Sequence, residues 1–79
     1  MEFRNVGGYT IGIEYNAHSY SEAYTVWVYI NGEKNLLSRY SETDYKKLTD
    51  EEIISMSNFR KQQADASDFA RKVLLGNLF

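Results

Sequence analysis

The one histidine of this chain, His18, lies in the polar stretch Ala17-His18-Ser19-Tyr20-Ser21-Glu22-Ala23, between segments richer in apolar residues. A serine nucleophile at Ser19 or Ser21 would need His18 as its base and an acid to orient the ring. Neighbours within one short loop rarely reach that geometry, so no catalytic residue is expected and the chain is read as non-enzymatic. Five acids, Glu42, Asp44, Asp50, Glu51 and Glu52, surround Lys46 and Lys47. A calcium loop needs oxygen ligands at alternate positions about a central glycine, and this stretch lacks that pattern. Gly7-Gly8 and Asn31-Gly32 read as turns, not as phosphate loops. There is no cysteine, which removes thiol chemistry, zinc knuckles and iron–sulfur ligation together. Neither a metal nor a cofactor is expected.

What remains is contact chemistry. The chain has seven tyrosines, four phenylalanines and one tryptophan. Aromatic side chains supply large contact area at small entropic cost, and Tyr and Trp keep a polar tip. The elements decide which of them a partner can reach.

Tyr9-Thr10-Ile11-Gly12-Ile13-Glu14-Tyr15-Asn16 alternates with period two, as does Tyr24-Thr25-Val26-Trp27-Val28-Tyr29-Ile30. Asn31-Gly32 then marks a type I′ hairpin, since both residues tolerate positive φ. The return strand is Lys34 to Tyr40. Gly7-Gly8 offers a second tight turn that would fold Met1–Val6 back as a further strand. That strand would set Phe3 opposite Gly12, its ring covering the bare glycine backbone. From residue 41 the pattern is helical: a short turn from Ser41 to Leu48, then a capping box at Thr49-Asp50-Glu51-Glu52 that starts a long helix. Met56, Phe59, Ala66, Ala70 and Val73 form its expected buried stripe, flanked by Ile53, Phe69 and Leu74. Gln63 and the polar run from Ser57 to Ser67 predict a bend or break. Gly76 is a plausible stop. The fold class is α+β, one domain over residues 1–79. It has an antiparallel three-stranded sheet, four-stranded if Met1–Val6 joins, with the C-terminal helical segment packed on one face.

One sheet face, with Ile11, Ile13, Val26, Val28 and Ile30, must take the helix. Trp27 and Tyr29 point the other way. Leu36 and Leu37 are adjacent on a strand, so one of them shares the Trp27 face whatever the register. Tyr9, Tyr15 and Tyr24 are expected to ring the core, and Tyr20 to be exposed beside His18. The expected partner-binding residues are Trp27, Tyr29, Tyr20 and Phe3, with Glu42, Asp44 and Glu51 as an acidic surface able to imitate a phosphate backbone. The segment Tyr40–Leu48 or the tail Leu78-Phe79 could instead cover Trp27.

The Tyr-Thr-Val-Trp-Val-Tyr-Ile-Asn-Gly hairpin and the acidic Thr-Asp-Glu-Glu helix start, in a short chain without cysteine or catalytic constellation, resemble the small inhibitor proteins of bacterial viruses and mobile elements, including the anti-CRISPR class. The resemblance rests on size and character and carries no motif. It implies an inhibitor that occupies a functional surface of a larger protein or ribonucleoprotein, such as a phage-defence nuclease complex, inside a bacterial host. A second resemblance is to sheet-plus-helix DNA-binding domains of the integrase-arm type. It implies a nucleic-acid face offering Trp27 and Lys34, with Glu14 among them; the alternative function is accordingly a small nucleic-acid-binding domain using Arg4, Trp27, Lys34 and Arg39. The formal net charge of −2 speaks against that reading, because neutralising phosphates favours a basic excess.

No stretch is apolar and long enough to span a bilayer. The N-terminal residues lack a basic region followed by an apolar run, so no signal peptide is read there. A small chain without disulfides is expected to be intracellular and cytoplasmic. A homodimer is expected, through the return-strand edge or the two Trp27 faces. A monomer capped by Leu78-Phe79 is the competing arrangement.

Overall fold

The computed structural model describes residues 1–76. Four strands, β1 (Glu2–Val6), β2 (Tyr9–Tyr15), β3 (Tyr24–Ile30) and β4 (Glu33–Tyr40), form one antiparallel sheet in chain order. Both tight turns form where glycine and asparagine supply positive φ: Gly7 at 59° and Gly8 at 85°, Asn31 at 54° and Gly32 at 80°. Gly7 is also a point of close approach, because a Cβ there would stand 2.7 Å from Cδ1 and Cγ1 of Ile54. β1 completes the four-stranded form of the sheet, and Phe3 stands opposite Gly12. β1 and β4 are the two edges.

The register of β4 shifts at one place. Trp27 pairs with Leu36 and Val26 with Ser38, so Leu37 is an extra residue, a β-bulge. Without the bulge, with Leu37 in an ordinary ladder position, alternation would send Ser38 and Tyr40 outward and Arg39 inward. With it, Leu37 is buried and Tyr40 joins the residues packed against the core.

The helices are α1 (Glu42–Lys47) and α2 (Asp50–Gly76). Ser41 caps α1, its hydroxyl accepting from the Asp44 amide. Thr49 and Glu52 form the capping box of α2: the Glu52 amide donates to Thr49 Oγ1, and the Thr49 amide donates to Glu52 Oε1. Both helices lie on the same sheet face. Tyr45 of α1 stacks on Tyr24 at 4.0 Å between centroids, and Leu48 packs against the core. Tyr40–Leu48 therefore lines the covered face and leaves Trp27 alone. The other suggested cover, Leu78-Phe79, lies outside the described residues.

The core is Val6, Ile11, Ile13, Val26, Val28, Ile30, Leu37 and Ile53. From α2 it takes Ile53 and the fully buried Ser57, with Ile54, Met56 and Ala64 half-buried beside them. This corrects the expected stripe. Phe59, Ala66, Phe69, Ala70, Val73 and Leu74 are exposed, and α2 runs from Asp50 to Gly76 without a break. The reason is length. The 27 residues of α2 span about 40 Å, whereas strands of this size span roughly 25 Å. The helix crosses the sheet from Arg4, which bonds Asp50 at 3.2 Å, past Tyr9, whose hydroxyl donates to Asn58, and on beyond the β3–β4 turn. From Asp65 to Leu74 every side chain is exposed.

Tyr9 and Tyr24 pack against the core as expected, but Tyr15 is exposed. It ends β2 at the margin where α1 covers Tyr24, and its ring touches only the flank of Tyr24, centroids 5.0 Å apart.

Candidate functional site: the uncovered sheet face

Alternation along each strand builds this face. Phe3, Gly12, Trp27 and Leu36 pair in succession and form one row straight across the sheet. Asn5, Thr10, Tyr29 and Lys34 form the next row, and Glu14, Thr25 and Arg39 a third. Neither helix packs on this side.

The contacts within the face are aromatic and cationic. The rings of Phe3 and Tyr29 lie 5.9 Å apart. The Lys34 ammonium sits 4.1 Å from the Trp27 ring centroid, a cation–π arrangement. Gly12 is bare backbone at the centre of the Phe3–Trp27 row, but the Phe3 ring is not what covers it. A Cβ on Gly12 would meet Sδ of Met1 at 3.0 Å and Cε2 of Tyr29 at 3.2 Å. The Tyr29 hydroxyl points to that sulfur at 3.7 Å. Phe3 itself remains 60% exposed. Trp27 is half-buried, and its indole Nε1 is buried without a hydrogen-bond partner among the described residues. Beyond Trp27 the face dips into a shallow depression bounded by Glu14, Thr25, Arg39 and the loop residues Asn16 to His18.

Of the expected binding residues, the structure brings together Phe3, Trp27 and Tyr29. Tyr20 is fully exposed in the β2–β3 loop, where it lines a different depression with Ser41 and Glu42. Glu42 and Asp44 are on α1, and Glu51 is in the first turn of α2; all three are solvent-exposed. The acids here serve the helix ends: Glu42 pairs with Lys46 at 3.5 Å, Asp50 with Arg4, and Glu52 caps Thr49. Of the four nucleic-acid candidates, Trp27, Lys34 and Arg39 share the uncovered face. Arg4 does not. It pairs with Ile11 and reaches Asp50 on the helix side.

The loop around His18 is tied by local bonds. The His18 amide donates to Asn16 Oδ1, and the Glu22 amide donates to Ser19 Oγ. Among the described residues no three His, Cys, Asp or Glu side chains converge on a metal-sized site, and no helix is long and apolar enough to cross a membrane.

The chain matches no family model, no curated protein and no solved structure. Met1 is the contributor to the uncovered face that sequence reasoning missed. Its signal was the strand pairing itself, because a residue two positions before Phe3 falls on the same side.

Proposed function

We infer that this chain is a non-enzymatic binding protein that docks on a larger protein through the uncovered face of its sheet, acting as an inhibitor of the surface it occupies. A phage-defence nuclease complex is the kind of target its size and character suggest. The observation that carries the reading is the row Phe3–Gly12–Trp27–Leu36 with Tyr29 alongside. It presents aromatic anchors on a four-stranded sheet whose opposite side is fixed by a packed core. Such anchors carry most of the affinity at protein interfaces, and a rigid support lowers the entropic cost of using them. The unpartnered indole N–H of Trp27 adds a donor that a partner's carbonyl could satisfy after a small ring movement.

The acids of α1 and α2 and the exposed Tyr20 lie away from this face, so the reading rests on Phe3, Trp27 and Tyr29. The nucleic-acid reading has less support. With Arg4 paired to Asp50, the face retains Lys34 and Arg39 opposite the carboxylate of Glu14.

The test is a Trp27→Ala variant compared with the parent in circular dichroism and in capture of partners from a bacterial lysate. The variant should keep its fold and lose at least about 2 kcal/mol of partner affinity, roughly thirtyfold. Loss of the folded spectrum would place Trp27 in the structural framework and end this assignment. Binding that survives in the variant but collapses with added salt would favour nucleic acid.

A further inference from the structure

α2 presents apolar residues on two opposite sides, toward the sheet at its start and toward solvent from Phe59 onward. At about 100° per residue, Ile53 and Ser57 define the side that faces the sheet. Phe59, Ala66, Phe69, Ala70 and Val73 fall within an arc of about 100° almost diametrically opposite, interrupted by the one polar side chain of Gln62. The distal half of the helix confirms this division. Ala64, Ser67, Asp68 and Arg71 border the cleft against Ile30, Asn31, Glu33 and Asn35 of the β3–β4 hairpin, so there the sheet-facing side is polar. The outward stripe is left in solvent: Phe59 is 58%, Phe69 70% and Val73 44% exposed. Phe59, Ala66 and Val73 recur at seven-residue intervals, the spacing that keeps a seam facing a second helix.

We propose that the chain forms a twofold homodimer by antiparallel pairing of this outward stripe of α2, not through the β4 edge or the Trp27 face. Charge selects both the occupant and its direction. Asp65 and Lys72 are seven residues apart and lie on the same flank of the stripe. In an antiparallel pair, like flanks face each other, so Asp65 of each copy meets Lys72 of the other, twice by symmetry. A parallel pair would set that flank against the one bearing Gln63 and Leu74 and join no charges. The same alignment puts the twofold axis beside Phe69 and lays each Phe69 over Ala66 of the second copy, large against small. An overlap of about three turns buries less than the roughly 1,200 Å² of a standard interface, so the dimer is weak and dissociates in the micromolar range.

Sedimentation equilibrium on the full chain, without any partner, from millimolar to micromolar concentration tests this. The parent should shift from dimer to monomer on dilution. Asp65→Lys and Lys72→Asp should each weaken the dimer at least tenfold, and the double exchange Asp65→Lys with Lys72→Asp should restore it. These positions are exposed, so circular dichroism should match the parent throughout. Trp27→Ala should dimerise like the parent, which separates this result from the fate of the binding-face reading. A chain that is monomeric at every concentration overturns the proposal. So does a dimer indifferent to both charge reversals, which would place the interface on the β4 edge or the Trp27 face. A double exchange that fails to restore association overturns the antiparallel alignment.

Discussion

Tyr40 stands opposite Tyr24 across the β3–β4 ladder, on the side of the sheet that the helices cover. The pairing requires Leu37 to bulge out of the ladder. Because that residue is extra, the last three residues of β4 alternate in the opposite sense from its first four. Deleting Leu37 removes the extra residue, so regular pairing should run through Leu36 and Ser38, with Tyr40 still opposite Tyr24 and Arg39 still outward. Leu37→Ala leaves the parity intact and should cost about 2–3 kcal/mol, a large-to-small core change. The deletion should cost about as much as that substitution and keep the aromatic near-ultraviolet circular dichroism. If the deletion loses that signal, Leu37 is not the extra residue of the ladder.

Ser57 is fully buried in α2, and its hydroxyl has no hydrogen-bond partner. A buried hydroxyl left unpaired costs on the order of 1 kcal/mol or more, and alanine is also the better helix former. Ser57→Ala should therefore raise stability by about 1 kcal/mol, read as a higher urea midpoint with an unchanged m-value. A lower midpoint would mean that the hydroxyl is satisfied in solution. Ser57→Leu should destabilise, because a larger side chain would push α2 off the sheet.

The fold should also lose stability in alkali. Burial raises the Tyr40 phenol above the ordinary tyrosine value of 10.0; the neighbouring Ser38 side chain opposes this, and the Glu52 carboxylate adds to it. Burial likewise raises Tyr24, followed by the Glu42 carboxylate. A raised folded-state value means that the fold prefers the neutral phenol. That contribution is complete below the unfolded value, near pH 10, and is lost as pH rises through the folded value. Urea midpoints should fall with pH in that window, and Tyr40→Phe should flatten the fall without abolishing it, since Tyr24 remains. An unchanged slope in Tyr40→Phe would remove Tyr40 as a source.

Much of the sheet was legible because its signals are local. Two glycine-bearing turns and two period-two segments set the hairpins, and the sequence adjacency of Leu36 and Leu37 already required them to part. Phe3 opposite Gly12 followed from the length of the Gly7-Gly8 turn. The same parity would have put Arg4 on the helix side, a deduction available from Phe3 alone. The buried side of α2 was not legible. Where a helix outruns its sheet, its apolar residues answer to two different surroundings, and a single stripe fitted through Met56 and Val73 averages them. The Leu37 bulge leaves no mark of its own beyond two apolar neighbours. The aromatic face could be read from Trp27 lying between Val26 and Val28, but its cover of Gly12 by Met1 depends on a pairing three strands wide.

The sheet is wound strictly in chain order, and this bears on how the protein forms. Each strand finds its partner next along the chain, across tight turns at Gly7-Gly8 and Asn31-Gly32 and one longer loop between Tyr15 and Tyr24. Closing such loops costs little entropy, and the cost grows only slowly with their length. Topologies of this local kind fold quickly for a β-rich chain. During synthesis the whole sheet can pair once Tyr40 has left the ribosome, while α2 is still inside the exit tunnel. The helix then arrives on a finished surface, and its first half takes its orientation from that surface while its second half has none to take.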